Sequence, residues 1–348
     1  MFGKRIGVDL GTANVLVYVK GRGIVIAEPA VVAVAQRDNS IVAVGTEARD
    51  MLGRTPGAIQ VIRPMREGVI ADYVTTEAML RYFISKVLGR MSLIKPEVMI
   101  CVPAGVTGVE QRAVQDAAEA AGARRPAHII PEPLAAAIGA RIPVGIPQGH
   151  MIVDAGGGRT EAAIISMYGI VVTESVRVAG DRLDDAIVGY VKRRHNLIIG
   201  DRTAESVKIQ IGCATPVDPE LRMDVRGRDV ITGMPKTVTV TSSEVASALQ
   251  DCLAVMMHAV RSVLEQTPPE LASDVIDRGV VLTGGGALLR GIDTLVEHET
   301  GIPCHIADHP LECVAIGAGI ALDHLDIIRR NIPTEEEQLI KTYGQYSS

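Results

Sequence analysis

Short apolar runs alternate along this chain with longer amphipathic ones. Two runs, "RIGVDL" and "VLVYVK", read as successive strands. "IVIAEPAVVAVA" extends the pattern, with Pro29 marking a strand end or a sheet edge. Residues 38–66 break the pattern and read as a short variable stretch rich in glycine and charge. A helix is predicted over 75–90, followed by the buried strand "EVMICVPA". Thr107 and Glu110 stand three apart before "VEQRAVQDAAEAAGA", the spacing of a capping box. "AHIIPEP" then reads as a strand and "LAAAIGA" as a helix. From Met151 the same logic begins again, and residues 181–241 add helices and a polar hairpin-like section. A long helix is predicted from near Ser243 to just before Pro268 and Pro269. The strand "GVVLT", a glycine turn and a helix "ALLRGIDTLVEHET" close the pattern.

Strands alternating with helices predict an α/β fold, with sheets covered by helices. The pattern also repeats in detail. "GVDLGTANVLVYVKGRGIVI" and "IVDAGGGRTEAAIISMYGIVV" both run from a strand into an aspartate, a glycine turn and a second strand. Asp154 stands where Asp9 stood and Gly156 where Gly11 stood, and the following "GIV" comes one residue later in the second copy. A duplication predicts two similar units, each with a smaller insertion, and a cleft between such halves is a natural ligand site.

Composition narrows the picture. The chain has 348 residues, enough for two or more domains, and 47% of them are apolar, so a core is expected. Without tryptophan and with only 3% aromatic residues, aliphatic side chains must fill that core. The net charge of −6, with scattered basic residues, argues against nucleic acid as a partner. Five cysteines without a CxxC pair, and no secretory leader, predict a reducing cytoplasmic compartment. No apolar run approaches the ~18 residues of a membrane span. Cys304, His305, Asp308, His309 and Cys313 lie close in sequence. Pro303 and Pro310 bracket that segment, so "CHIA" reads as a strand entering a loop, and the spacing matches no common metal site.

The glycine turns carry the chemistry. Gly11, Thr12, Ala13 and Asn14 between two strands can point several backbone N–H groups one way and form an anion nest. Gly156, Gly157 and Gly158 can do the same, since glycine allows close approach and positive φ. Neither copy is a P-loop, because neither fits GxxxxGK[ST]. Asp9 and Asp154 repel phosphate, and they fit such a site if Mg²⁺ sits between, reached through retained waters. Ordinary hairpin turns with Asp and Gly as turn formers are the plain alternative. Two copies in register, each after a buried strand, favour phosphate. A third glycine run, Gly284, Gly285, Gly286, leads from a strand toward a predicted helix at Ala287, a place that suits a nucleotide. It lacks the spacing of the dinucleotide fingerprint. In "DRTAESVKIQIG", Glu205 and Lys208 share a helical face and could either pair at the surface or meet a ribose or base.

Taken together, "DLGTAN", "DAGGGRTE", "VAGDRLDDAI", "GDRTAESVKIQIG", "TPPELASDVIDRG" and "LTGGGALLRG" resemble the MreB/Mbl family of bacterial actins over nearly the whole chain. The resemblance implies an actin-like fold of duplicated ribonuclease-H-like units, with two lobes and four subdomains around an ATP cleft. Carried onto this chain, subdomain IA takes residues 1–31, 66–144 and 320–337, and IB takes 32–65. IIA takes 145–180 and 242–319, IIB takes 181–241, and 338–348 form a tail.

The resemblance further implies membrane-associated filaments, double and antiparallel, on the inner face of the cell membrane. They would serve the cell-wall elongation machinery of rod-shaped cells. It places ATP phosphates at 11–14 and 156–158, Mg²⁺ at Asp9 and Asp154, and adenosine at Glu205, Ser206, Val207, Lys208 and at 284–287. It makes Glu132 the residue that positions the attacking water of a slow ATPase. It favours membrane contact by Leu93 and Ile94 in "GRMSLIKPE", aided by Met1 and Phe2 with Lys4 and Arg5, and a buried helix end is the plain alternative for that stretch. Two positions depart from the family: Pro131 where it writes Glu, and Arg159 where it writes a Thr beside the γ-phosphate. Both bear on hydrolysis. A small-molecule kinase of the wider actin, Hsp70 and sugar-kinase superfamily is the alternative function. An Hsp70-like chaperone is disfavoured, because no β-rich peptide-binding domain follows Asp323.

Overall fold

A computed structural model of the chain describes residues 4–55, 57–89 and 94–331. The chain divides into two compact units. One holds the described residues of 1–148, 164–171 and 312–348, and the other holds 149–163 and 172–311.

The first unit is built on a five-stranded sheet. Its middle strand, Arg5–Leu10, pairs antiparallel with Asn14–Val19, which pairs with Gly23–Pro29. On its other side it runs parallel to Glu97–Val102, which runs parallel to His128–Pro131. The second five-stranded sheet repeats that order. His150–Ala155 is its middle strand, with Thr160–Ser166 and then Gly169–Val176 on one side. On the other side Val280–Thr283 and then Cys304–Ile306 run parallel to it. The duplication in sequence is thus a duplication of topology. Hairpins suffice for the antiparallel half, whereas each parallel neighbour needs a crossover. In the first unit the helices Tyr73–Leu88 and Gly108–Ala120 supply those crossovers.

Burial explains the apolar runs. All six residues of His150–Ala155 are buried, as expected of a strand covered on both faces. In the first unit Ile6, Val8 and Ile100 meet Met79, Leu80, Phe83 and Ile84 of the Tyr73–Leu88 helix in one core. The helix Cys313–Ala321 is apolar almost all round and buried. It crosses Glu132–Gly139 at backbone contact. A Cβ on Gly139 would lie 1.8 Å from the Cys313 carbonyl oxygen, and one on Gly317 would lie 1.7 Å from that of Ala135.

Local signals placed most boundaries. Thr107 and Glu110 form the predicted capping box. Thr241 and Glu244 form a second one, at the start of Ser242–Gln266, that the sequence reading did not identify. Pro29 ends its strand, and a new one begins at Val32. The helix predicted over 75–90 begins earlier, because Asp72 caps it by accepting from the Thr75 N–H at 3.1 Å. It ends at Leu88, where Gly89 takes a φ of 74°.

Two expectations are corrected. Residues 38–66 are not merely a variable stretch. Ile41–Val44 and Ile59–Ile62 flank Val32–Ala35 in a small antiparallel sheet, with the helix Thr46–Met51 beside it. Strands of four residues are too short to show a period. "ALLRGIDTLVEHET" is not one helix either. Gly285–Leu288 form a single 3₁₀ turn, Leu289 is extended, and the α-helix begins only at Ile292. Gly291 breaks the run at φ 72°, pressed against Thr215, whose hydroxyl oxygen would lie 2.1 Å from a Cβ there.

Residues 181–241 fold as the pattern predicts. The helices Gly180–His195 and Asp201–Ile211 precede the antiparallel pair Arg222–Asp229 and Pro235–Thr241.

Candidate functional site

In each unit the aspartate and its glycine turn lie at the carboxyl end of a strand with a parallel neighbour, where α/β sheets present their ligands. In the first unit Asp9 lies near the end of Arg5–Leu10, opposite Leu16. The turn 11–14 follows. Gly11 is required by close approach, since a Cβ would sit 2.7 Å from the Asn14 carbonyl oxygen. The Thr12 hydroxyl is buried and accepts the Gly68 N–H at 2.9 Å. Gly68 and Glu67, at φ 78° and 49°, form the two-residue loop between Met65–Arg66 and Val69–Ile70. Two consecutive positive φ values match the twist of a tight hairpin. The Ala13 carbonyl accepts from the Ala30 N–H at 2.9 Å, so this turn is braced on two sides. Glu132 opens the helix Glu132–Gly139 directly after the strand His128–Pro131. Its carboxylate sits at the positive end of that helix.

In the second unit Asp154 is a buried carboxylate at a strand end. It is 5% exposed, and burial pushes its carboxyl up to about 6. The Thr283 hydroxyl donates to Asp154 Oδ1 at 2.9 Å and offsets part of that rise. Strand register brings them together, with Asp154 paired to Thr283. Thr283 was not foreseen as a site residue, and nothing local in the sequence marks it. A buried carboxylate that resists ionisation is suited to a divalent cation, whose charge would favour the ionised form. Mg²⁺ fits such a donor set, because it binds through one or two carboxylates and keeps its waters. Among the described residues no group of three or more His, Cys, Asp or Glu could hold a metal ion, the 304–313 segment included. Within that segment Cys304–Ile306 is a strand, as its sequence reads.

The turn 156–158 follows Asp154 within two residues. The Gly156 N–H donates to the Arg159 carbonyl at 2.9 Å and closes the turn. Gly156 lies outside the left-handed region, and a Cβ on it would meet only that carbonyl, at an ordinary 3.4 Å. The positive φ foreseen for this glycine is not used, and packing within the chain does not demand glycine here. Gly284 and Gly286 differ. Gly284 has φ 79°, and a Cβ on it would lie 2.4 Å from the Ala155 carbonyl oxygen. A Cβ on Gly286 would lie 2.6 Å from that of Ala155. These two are needed to seat the 3₁₀ turn against the end of His150–Ala155, so the helix start foreseen after them is absent.

The structure distributes the remaining residues unevenly. On Asp201–Ile211, Val207 is fully buried while Glu205 is exposed. Lys208 Nζ pairs with Asp184 Oδ1 at 2.9 Å, so the ion pair lies there and not with Glu205. Ala287 is buried within the 3₁₀ turn. The Arg159 guanidinium donates to the Ser175 hydroxyl at 3.2 Å. Ile94 is 48% exposed. Leu93, Met91, Met1 and Phe2 lie outside the described residues. Among the described residues no helix is long and apolar enough to cross a membrane.

Two topologically matched α/β units, each with an aspartate and a glycine turn at a strand end, define the class: an actin-like protein. Known proteins agree. The Spiroplasma citri MreB5 crystal structure, solved bound to ADP, matches with a TM-score of 0.89 at 39% identity, covering 94% of this chain and 99% of that one. A MamK double helical filament shares the fold, with a TM-score of 0.78 at 21% identity over 91% of this chain and 98% of that one. The cell shape-determining proteins Mbl of Bacillus cereus and MreB of Escherichia coli K12 are each 50% identical, over 326 and 341 residues. Those matches cover 94% and 97% of this chain and 98% of each relative. The MreB/Mbl protein family profile matches residues 3–330, and the chain belongs to that family.

Proposed function

We propose that this chain is an ATP-dependent filament protein that sets rod cell shape from the inner face of the cell membrane, organising cell-wall synthesis. The observation that carries the nucleotide part is Asp154. It is buried, hard to ionise, and followed within two residues by Gly156, which no internal contact requires to be glycine. The ADP- and AMPPNP-bound MreB5 structures support the same reading.

In this proposal the amides of 11–14 and of 156–158 receive phosphate oxygens. Asp154 and Asp9 would hold Mg²⁺, and the ion would supply charge neutralisation of the triphosphate when bound. The helix Asp201–Ile211 and the 3₁₀ turn Gly285–Leu288 offer surfaces for adenosine. Glu132 orients the attacking water of a slow hydrolysis. Self-association into filaments, double and antiparallel, follows the family resemblance, and the MamK double helix supports an actin-like chain assembling in pairs.

Two measurements test this. Calorimetry of Mg-ATP binding should show a clear loss of affinity in Asp154→Ala, and unchanged affinity would sink the assignment. Light scattering should rise on adding Mg-ATP to the purified protein. ATP consumption stimulated by a sugar, with no scattering change, would instead establish the kinase alternative.

A further inference from the structure

The turn 156–158 is built into its unit through one helix end. The Gly180 N–H donates to the Gly156 carbonyl at 3.2 Å, and the Asp181 N–H donates to that of Gly157 at 2.8 Å. Gly180 and Asp181 are the first residues of Gly180–His195. The first N–H groups of a helix have no partner inside it, and here two of them go to the turn. That helix end has no side-chain cap, because Ala179 stands at the capping position.

A neighbouring helix steadies it instead. Lys208 Nζ donates to the Gly180 carbonyl at 2.9 Å and pairs with Asp184 Oδ1 at 2.9 Å. Asp184 lies one turn into the same helix as Gly180. Both charged side chains are largely buried, at 17% and 15% exposure. Burying such a pair is a weak source of stability, since desolvation offsets much of the attraction. Its geometric effect is specific: it fixes the Gly180 carbonyl, and with it the two amides that carry Gly156 and Gly157.

We propose that Asp184 and Lys208 are positioning residues for the turn 156–158. Asp184 holds the Lys208 ammonium on the Gly180 carbonyl, and that contact sets the height and tilt of the turn. The inference rests on reading the turn as a phosphate site. It gives Lys208 a task different from the adenosine contact that the family resemblance implies.

The test compares Mg-ATP with adenosine as calorimetric probes on the full chain. Asp184→Ala should weaken Mg-ATP roughly tenfold or more, the scale on which losing a supporting shell weakens a site, and leave adenosine nearly unchanged. Asp184→Asn keeps an oxygen beside the Lys208 ammonium without the charge and should recover part of the loss. It also carries the test should the alanine variant fail to fold. Parallel weakening of adenosine and Mg-ATP would overturn the proposal in favour of direct adenosine contact. Unchanged Mg-ATP affinity in both variants would overturn it as well. Failure of the unmodified chain to bind Mg-ATP would instead remove the nucleotide reading itself, and the inference with it.

Discussion

A carboxylate buried as deeply as Asp154 works against the stability of the empty protein. Its ordinary value is 3.8, and in the folded chain burial raises it to about 6. The folded state therefore holds this proton more tightly than the unfolded state does. The group's contribution is fully present at pH below 3.8 and is lost as pH rises through about 6. Asp154→Asn should lack that fall, because its oxygen can still accept from Thr283 and it carries no charge. Without nucleotide, the variant should exceed the unmodified chain near neutral pH by roughly 1–3 kcal/mol and match it in acid. Denaturant melts across the acid range would show this, and a constant gap at all pH values would refute it. Arg159 poses the opposite problem, a charge where the family resemblance implies Thr. Its guanidinium donates to the Ser175 hydroxyl on the strand Gly169–Val176. A guanidinium that binds ground-state and transition-state phosphate alike gives no acceleration. Arg159→Thr should thus raise phosphate release several-fold with ATP affinity little changed. A fall in turnover would favour an arginine-finger role instead.

At the scale of elements, the crossing of Glu132–Gly139 with Cys313–Ala321 fixes where Glu132 stands. The two backbones touch at Gly139 and Gly317, and each glycine faces a carbonyl oxygen that a methyl group would overlap. Gly317→Ala should destabilise the chain by roughly 1–3 kcal/mol, as overpacking does, and displace the start of the Glu132 helix. Equal stability in denaturant melts would show that the helices separate freely. The capping boxes at Thr107 and Thr241 were open to sequence reading, because residues three apart meet within one turn. The 3₁₀ turn at Gly285–Leu288 was not. Its cause is contact with Ala155, far away in sequence.

For the whole molecule, assembly multiplies weak contacts. Ile94 is exposed, and Leu93 precedes it in the chain. Each such side chain contributes roughly 1.5–3 kcal/mol when fully buried, so one subunit would hold a lipid surface weakly. A filament repeats the contact and gains avidity. Changing Leu93 and Ile94 to Ser should release filaments from anionic liposomes while ATP-dependent scattering persists. Continued pelleting with liposomes would point to another attachment.

The sequence by itself determined the α/β class, the duplication, the order of most elements and the positions of Asp9, Asp154 and their turns. Each of these depends on neighbours within a few residues or on a period read along one segment. It also carried the resemblance to the MreB/Mbl family. Only the tertiary structure decided which side chains meet. Thr283 reaches Asp154 across 129 positions because two parallel strands share one register. Lys208 turns to Asp184 and Gly180 because two helices pack side by side, where its own helix offered Glu205. Gly284 and Gly317 are glycines because another backbone comes too close for a Cβ, and Gly286 because the Ala155 methyl does. Sequence spacing encodes contacts along one element, whereas contacts between elements depend on packing that no short stretch records.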